Sequence, residues 1–353
     1  NIGKSRISDT KKLPPIIENE FFCVEISQKD GTLTVLDKRS KLLFKGLNCF
    51  VDGGDCGDEY NYSPPENDQV IRGARLIKVR LRKNPVQQTL HLDLKLNIPQ
   101  KLSKDRQTRS KKRAVLKIHS SISLLPGIPR IDIHTEVNNT AQDHRLRVHF
   151  PAPFAVQFAD CDGHFEIVRR PVSTSQDGNL PYPDPTWSEQ PRTEMPQLAF
   201  TDISDGKNSL LIANRGLPEV AVLPNSEGGH EIALTLLRCV GWLSREDLST
   251  RKGHAGPDLP TPGAQMLGKY GFDYAILPHS ADEAITAYHQ AYAFNAPLRS
   301  AVTSLHNGPL PATGAMIEVT PPEFVISSIK TSEDGSGWIV RGYNISSQPI
   351  QVS

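Results

Sequence analysis

No stretch of 18 or more apolar residues occurs in this 353-residue chain, so no segment reads as a membrane-spanning helix. Residues 1–12 are polar and basic with no apolar run, which is neither a signal peptide nor an anchor. An excess of one charge is missing too: 40 Lys and Arg against 39 Asp and Glu leave a net charge of +1. No global field therefore draws the chain to nucleic acid or membrane. Cysteine is scarce, with five residues, an odd number, widely spaced and without C-x-x-C. That usage argues against a disulfide framework and a structural zinc site, and it places the chain in the cytoplasm. Cys23 and Cys239 lie in apolar runs and read as buried thiols. The 11 histidines form no H-E-x-x-H or H-x-H pair, so no metal site built from this chain alone is expected. G-x-S-x-G, Walker and G-x-G-x-x-G motifs are absent as well, which removes the usual hydrolase, phosphate and dinucleotide readings. The chain also starts without Met, as an excised piece of a longer protein would.

What is present is a period of two. Segments 21–26, 32–36, 90–98, 114–124, 130–137, 145–150, 165–168, 209–213, 220–223, 231–236, 272–277 and 337–343 read as strands. Short strands punctuated by 25 Gly and 28 Pro point to antiparallel sandwiches rather than βαβ units. One helix stands out. Ser280 and Glu283 form a capping box ahead of Ala284, Ile285, Tyr288, Ala291 and Tyr292 at helical spacing. Residues 1–16 read as a tail, 17–306 as the main domain, and 307–353, after a Pro-containing linker, as the start of a second sandwich that the chain leaves incomplete.

The densest segment is 51–65 (VDGGDCGDEYNYSPP), with four acids, three glycines and two tyrosines. Glycines allow φ > 0 and Pro64-Pro65 fixes an extended exit, so it reads as a rigid surface loop between strands. Carboxylates accept hydrogen bonds from hydroxyls and aromatic rings pack on the C–H face of a sugar, so such a loop suits a polyhydroxylated ligand. It equally suits an acidic loop whose tyrosines pack on their own sheet. Asp52, Asp55, Asp58 and Glu59 are crowded enough for a carboxylate pair, but an open loop lacks the apolar burial that raises a catalytic acid. A second dense segment, 236–257, runs from a strand into a loop with Trp242, Arg245 and Arg251. Arginine can clamp vicinal hydroxyls and Trp242 can stack on a ring, or the arginines can serve loop–carboxylate pairs. Segment 101–113, with seven bases and one acid and no aromatics, reads as a solvated loop.

Together, residues 17–22 (IENEFF), 30–38 (DGTLTVLDK), the acidic tyrosine loop, 144–148 (HRLRV), 214–219 (NRGLPE) and 238–265, ending TPGAQ, resemble the C-terminal half of glycoside hydrolase family 38 α-mannosidases of the bacterial type. The resemblance runs in order from about residue 17 to residue 350. It implies a galactose-mutarotase-like antiparallel β-supersandwich, an all-β fold with one short helix and part of a smaller sandwich. It also implies that the zinc ion and the aspartate nucleophile of a retaining mechanism belong to an N-terminal barrel preceding this region.

By the same resemblance the sandwich half supplies part of the sugar pocket wall. Tyr60 matches the tyrosine that reaches the mannose and Arg251 matches an arginine near the substrate, with Asp58, Tyr62 and Trp242 as lesser candidates. No catalytic or metal-binding residue is expected in this chain. The expected partners are an α-mannoside and the chain's own barrel domain. A stand-alone carbohydrate-binding module is the alternative. A structural or assembly role predicts instead an apolar patch and self-association as a homo-oligomer.

Overall fold

A computed structural model of the chain describes residues 6–9, 15–172, 186–189 and 191–353. The elements are strands in antiparallel pairs, with one α-helix. Ten strands form a broad sheet in the spatial order Arg6–Asp9, Arg75–Asn84, Gln87–Pro99, Arg113–Leu124, Ile131–Asn139, Gly268–Ser280, Asn208–Asn214, Phe200–Ser204, Phe158–Asp162 and Ile167–Pro171. Six form a second sheet, in which Cys49–Gly54 lies between His144–Pro151 and Ile71–Arg72, and His230–Cys239 flanks His144–Pro151 on the other side. Four N-terminal strands make a third sheet. The all-β supersandwich with one short helix is thus the fold this chain adopts.

Alternation builds the core. In Gln87–Pro99, Leu90, Leu92, Leu94, Leu96 and Ile98 are buried while Asp93, Lys95 and Asn97 face outward, as a half-buried strand requires. Those leucines join Val220, Ile232 and Leu234 of the second sheet in one buried cluster. Phe150 and Tyr274, one from each sheet, meet edge to face with centroids 5.8 Å apart. The helix, Ala284–Asn295, adds a third layer. On Asn208–Asn214, Leu210 and Ile212 point into the inter-sheet core, whereas Leu211 and Ala213 pack with Ala287, Tyr288, Ala291 and Phe294 of the helix. The Ser280 amide donates to Glu283 Oε2 at 3.4 Å, which closes the expected capping box. Among the described residues no helix is long and apolar enough to cross a membrane.

Residues 296–323 hold no helix or strand, and Phe324–Thr331 pairs with Trp338–Asn344 as a hairpin. That hairpin is tied to the helix. Tyr343 Oη donates to Tyr292 Oη at 3.3 Å, and Ile345 is buried in the helix-side cluster.

Several boundaries differ from the sequence reading for identifiable reasons. The strand expected at 165–168 begins at Ile167, because Phe165 has φ +66° and cannot continue a ladder. Arg75–Asn84 was not anticipated: a bulge between Leu76 and Lys78 shifts its apolar period by one residue. Val51–Gly54 is strand rather than loop, with Asp52 fully buried. Cys239 is buried as expected, while Cys23 is half-buried.

Candidate functional site

The loop that follows Cys49–Gly54 is held by three aspartates at three-residue spacing, each paired with its own arginine. Asp52 accepts from Arg109 Nη2 on one oxygen and faces His144 Nδ1 at 2.6 Å on the other; all three side chains are buried. Asp55 Oδ2 accepts from Arg238 Nε at 3.0 Å, and its Oδ1 accepts from the Gly57 amide at 2.8 Å. Burial pushes the Asp55 carboxyl above the usual range, and Arg238 opposes that shift. Asp58 Oδ2 accepts from Arg251 Nη2 at 2.6 Å and from the Arg245 amide at 2.8 Å. Its Oδ1 caps the Tyr60 and Asn61 amides at 3.0 and 2.9 Å. Burial works against the Asp58 carboxylate, but Arg251 and the amides outweigh it and hold the group below its ordinary range.

This geometry corrects one premise. Asp52, Asp55 and Asp58 are at most 1 % exposed, not open to solvent, and only Glu59 of the four acids is exposed. Asp58, with Arg251 and backbone amides on it, is anchored as an anion and has no proton to lend. The solvated-loop reading of 101–113 is corrected too. Lys101, Lys104, Lys111, Lys112 and Arg113 are exposed, but Arg109 is buried on Asp52 and Arg106 turns inward. Arg106 Nη2 donates to the Cys56 carbonyl, and Cys56 Sγ donates to the Arg106 carbonyl at 2.9 Å.

The 55–65 loop and the loop after His230–Cys239 form one unit. The Glu59 amide donates to the Trp242 carbonyl at 3.1 Å, Thr250 Oγ1 donates to the Tyr62 carbonyl at 2.9 Å, and the Ser63 and Ser249 hydroxyls are 2.9 Å apart. At its surface stands Tyr60, 53 % exposed, whose hydroxyl has no hydrogen-bond partner among the described residues. Its ring lies against Gly256, where a β-carbon would come within 2.7 Å of the hydroxyl oxygen.

The other sequence candidates occupy different places. Arg251 is 6 % exposed. Its guanidinium faces Asp58, the Asn61 side chain, Ser244 Oγ and the Arg245 and Gly253 carbonyls, which uses its five N–H donors within the protein. Tyr62 turns inward with the Arg145 guanidinium 3.3 Å from its ring centroid, and Arg145 is fixed by Glu194 at 2.7 Å. Burial raises the Tyr62 phenol. Trp242 is half-buried, with the Arg245 guanidinium 5.2 Å from its ring centroid. The sequence reading missed Arg109, Arg238 and Gly256. The first two had a visible signal in the excess of arginine on segments flanking three evenly spaced aspartates.

Among the described residues no three His, Cys, Asp or Glu side chains group so as to hold a metal ion. The three loop aspartates are already committed to arginines. The described residues therefore do not fit a zinc site, and no chemical step here runs through a metal.

The model of the family described as "Glycosyl hydrolases family 38 C-terminal domain" matches residues 17–250. A curated relative from Halalkalibacterium halodurans, named "Putative mannosylglycerate hydrolase", is 27% identical over 347 residues, covering 93% of this chain and 36% of that protein. Two solved structures from Enterococcus faecalis superpose on nearly all of the chain. A protein in the glycosyl hydrolase family 38 gives a TM-score of 0.81 at 26% identity, covering 99% of this chain and 40% of that one. An alpha-mannosidase from strain V583 gives 0.81 at 28% identity, covering 99% and 39%. The chain thus spans under half the length of the relatives it matches. With its arginine-locked tyrosine loop inside the matched segment, this chain belongs to glycosyl hydrolase family 38 and carries that family's C-terminal domain.

Proposed function

We propose that this chain is the C-terminal part of a retaining α-mannosidase acting on terminal α-mannosides, and that it presents Tyr60 as one wall of the sugar pocket. The observation that carries this reading is Tyr60 itself. Its backbone is fixed by the Asp58 cap, its ring is seated on Gly256, and its hydroxyl and one face are free. A phenol so placed can exchange hydrogen bonds with a sugar hydroxyl and pack on the ring's C–H face. Arg251 and Asp58 act one layer behind as positioning residues, because every donor of that arginine is used in holding the loop. Tyr62 and Trp242 support the same frame, and exposed Glu59 stands beside Tyr60 as a further acceptor.

The reacting carboxylates belong in this reading to a barrel domain that precedes the chain, with a covalent glycosyl intermediate as in other retaining glycosidases. A zinc ion held in that barrel would supply Lewis-acid contacts to sugar hydroxyls. The substrate class is a terminal α-mannoside or a mannosylated small acid, the latter from the Halalkalibacterium relative's name. Five free cysteines suit a reducing compartment, so we place the protein in the cytoplasm.

The test is turnover of nitrophenyl α-mannoside by the purified 353-residue chain, with and without zinc. None is expected, and turnover by this chain alone sinks the proposal. Joined to its barrel domain, the Tyr60→Ala variant is expected to raise KM more than it lowers kcat. Calorimetric binding of mannose by this chain tighter than about millimolar, weakened by Tyr60→Ala, would favour a stand-alone binding module.

A further inference from the structure

A cleft away from these loops lies between the helix and the outer strands of the ten-stranded sheet. It has a volume of about 1050 Å³, and none of Glu59, Tyr60, Trp242 or Gly256 lines it. Its floor is the helix-facing side of the sheet. Arg169, Asp160 and Asp202 stand in register on three neighbouring strands, Asp160 opposite each of the other two. Arg169 grips Asp160 with two bonds of 2.8 and 2.7 Å. Asp202, 4 % exposed, faces His279 Nε2 at 3.3 Å and accepts from Tyr288 Oη at 3.5 Å.

The next row holds Ser209, opposite both Ser204 and His279. Ser209 shares the helix-facing side of its strand with Leu211 and Ala213 and borders the cleft. It is 1 % exposed, and its hydroxyl has no hydrogen-bond partner. Buried hydroxyls are nearly always bonded, so an orphan one beside a cleft marks a position waiting for a ligand atom. Tyr288 borders the cleft at the helix, and Phe158, 46 % exposed, borders it at the sheet edge.

We infer that this cleft is a second carbohydrate-binding site, built for a neutral oligosaccharide and independent of the Tyr60 wall. Carboxylates that accept, a guanidinium and a hydroxyl that donate, and the exposed ring of Phe158 are the groups that recognise vicinal hydroxyls on an apolar ring. The volume matches a short oligosaccharide rather than an ion. A cationic ligand is disfavoured because the two floor aspartates already face Arg169 and His279. An anion is disfavoured because Asp160, Asp202, Asp205 and Glu166 border the same space.

Saturation-transfer NMR and calorimetry on the 353-residue chain, with methyl α-mannoside, α-1,2-mannobiose and maltose, test the site. At least one sugar should bind with a Kd in the millimolar range. Ser209→Ala and Arg169→Ala should each weaken it about 10-fold or more. Ser209→Ala should leave the melting temperature unchanged or higher, because it removes an unsatisfied buried group, which a purely structural serine would not do. Tyr60→Ala should leave this binding unchanged. The inference is overturned if none of the three sugars binds at about 10 mM, some ten times the Kd expected of the site. Binding that survives both Ser209→Ala and Arg169→Ala overturns it as well, as does binding that is lost with Tyr60→Ala.

Discussion

Gly256 sets the tilt of Tyr60: a β-carbon at Gly256 would lie 2.7 Å from the tyrosine hydroxyl oxygen and 3.1 Å from Cε2. The contact joins the two loops at the point where the exposed ring is presented. The clashing atoms are the far end of an exposed side chain, so Tyr60 can swing away without disturbing the core. Gly256→Ala is therefore expected to change unfolding free energy by no more than about 0.5 kcal/mol. It should nevertheless displace the phenol and weaken mannoside binding in the barrel-bearing protein as Tyr60→Ala does. Denaturant unfolding and inhibitor titration on the same variant check both halves. An unchanged affinity would show that the ring's position is immaterial.

Asp58 and Arg251 form a pair in which both side chains are at most 6 % exposed. Removing one partner of such a pair leaves a buried charge, at a cost of about 3–5 kcal/mol. Asp58→Ala and Arg251→Met should each destabilise by that order, and the double variant by much less than their sum. Arg251→Lys should fail to rescue, since an ammonium cannot serve both carboxylate oxygens and the Gly253 carbonyl together. Urea unfolding of the four variants supplies the cycle, and additive losses would refute the coupling.

Arg109 and its neighbours Lys111 and Lys112 carry the same charge in one loop but do different things. Arg109 is 8 % exposed and sits on Asp52, whereas the two lysines are exposed. Arg109→Ala is expected to cost about 3–5 kcal/mol because Asp52 loses a buried cation. Lys111→Ala and Lys112→Ala should each stay within about 0.5 kcal/mol. Comparable losses at all three positions, read by thermal unfolding, would contradict the inward clamp.

These clamps explain how far the sequence could be read. Strands such as Gln87–Pro99 and Arg113–Leu124 announce themselves because one face is apolar and the other polar. The helix was legible from Ser280 and Glu283 at its start. Cys49–Gly54 was not, because Asp52 occupies a buried position that only a distant arginine and histidine make tolerable. The same holds at the site. Tyr60 could be singled out from local turn chemistry, but the role of Arg251 depends on six acceptors that only the folded loops bring around it. A pattern of three acids in seven residues looks like an exposed acidic loop until the partners, 57, 183 and 193 residues away, are known.

Two buried histidines on the same strand, His144 and His149, should titrate in opposite directions. His144 has an acceptor at each nitrogen, Asp52 Oδ2 at 2.6 Å and Asn139 Oδ1 at 3.1 Å, which suits the doubly protonated ring. Burial disfavours its charge, but Asp52 outweighs burial and raises it to about 10. His149 has Glu231 Oε1 at 2.7 Å on Nδ1 and nothing on buried Nε2, which suits the neutral ring. Burial dominates there and lowers it to about 4, while His149 and Arg72 draw Glu231 down to about 2.

The signs follow by linkage. His144 is raised above its unfolded value of 6.5, so its contribution is complete below pH 6.5 and drains away as pH rises toward 10. His149 is depressed, so the unfolded chain takes up its proton first. Stability then falls as pH drops from 6.5 toward 4, and Glu231 extends the loss from 4.5 toward 2. The two histidines together therefore place their most favourable point near neutral pH, with losses on both sides. Ring nitrogen shifts measured by NMR should show both N–H groups on His144 at pH 8 and a single Nδ1–H on His149 down to about pH 5. A neutral His144 at pH 8, or a charged His149 at pH 6, would defeat the assignment. A His149→Gln variant should then flatten the loss between pH 6.5 and 4 while leaving the alkaline side unchanged.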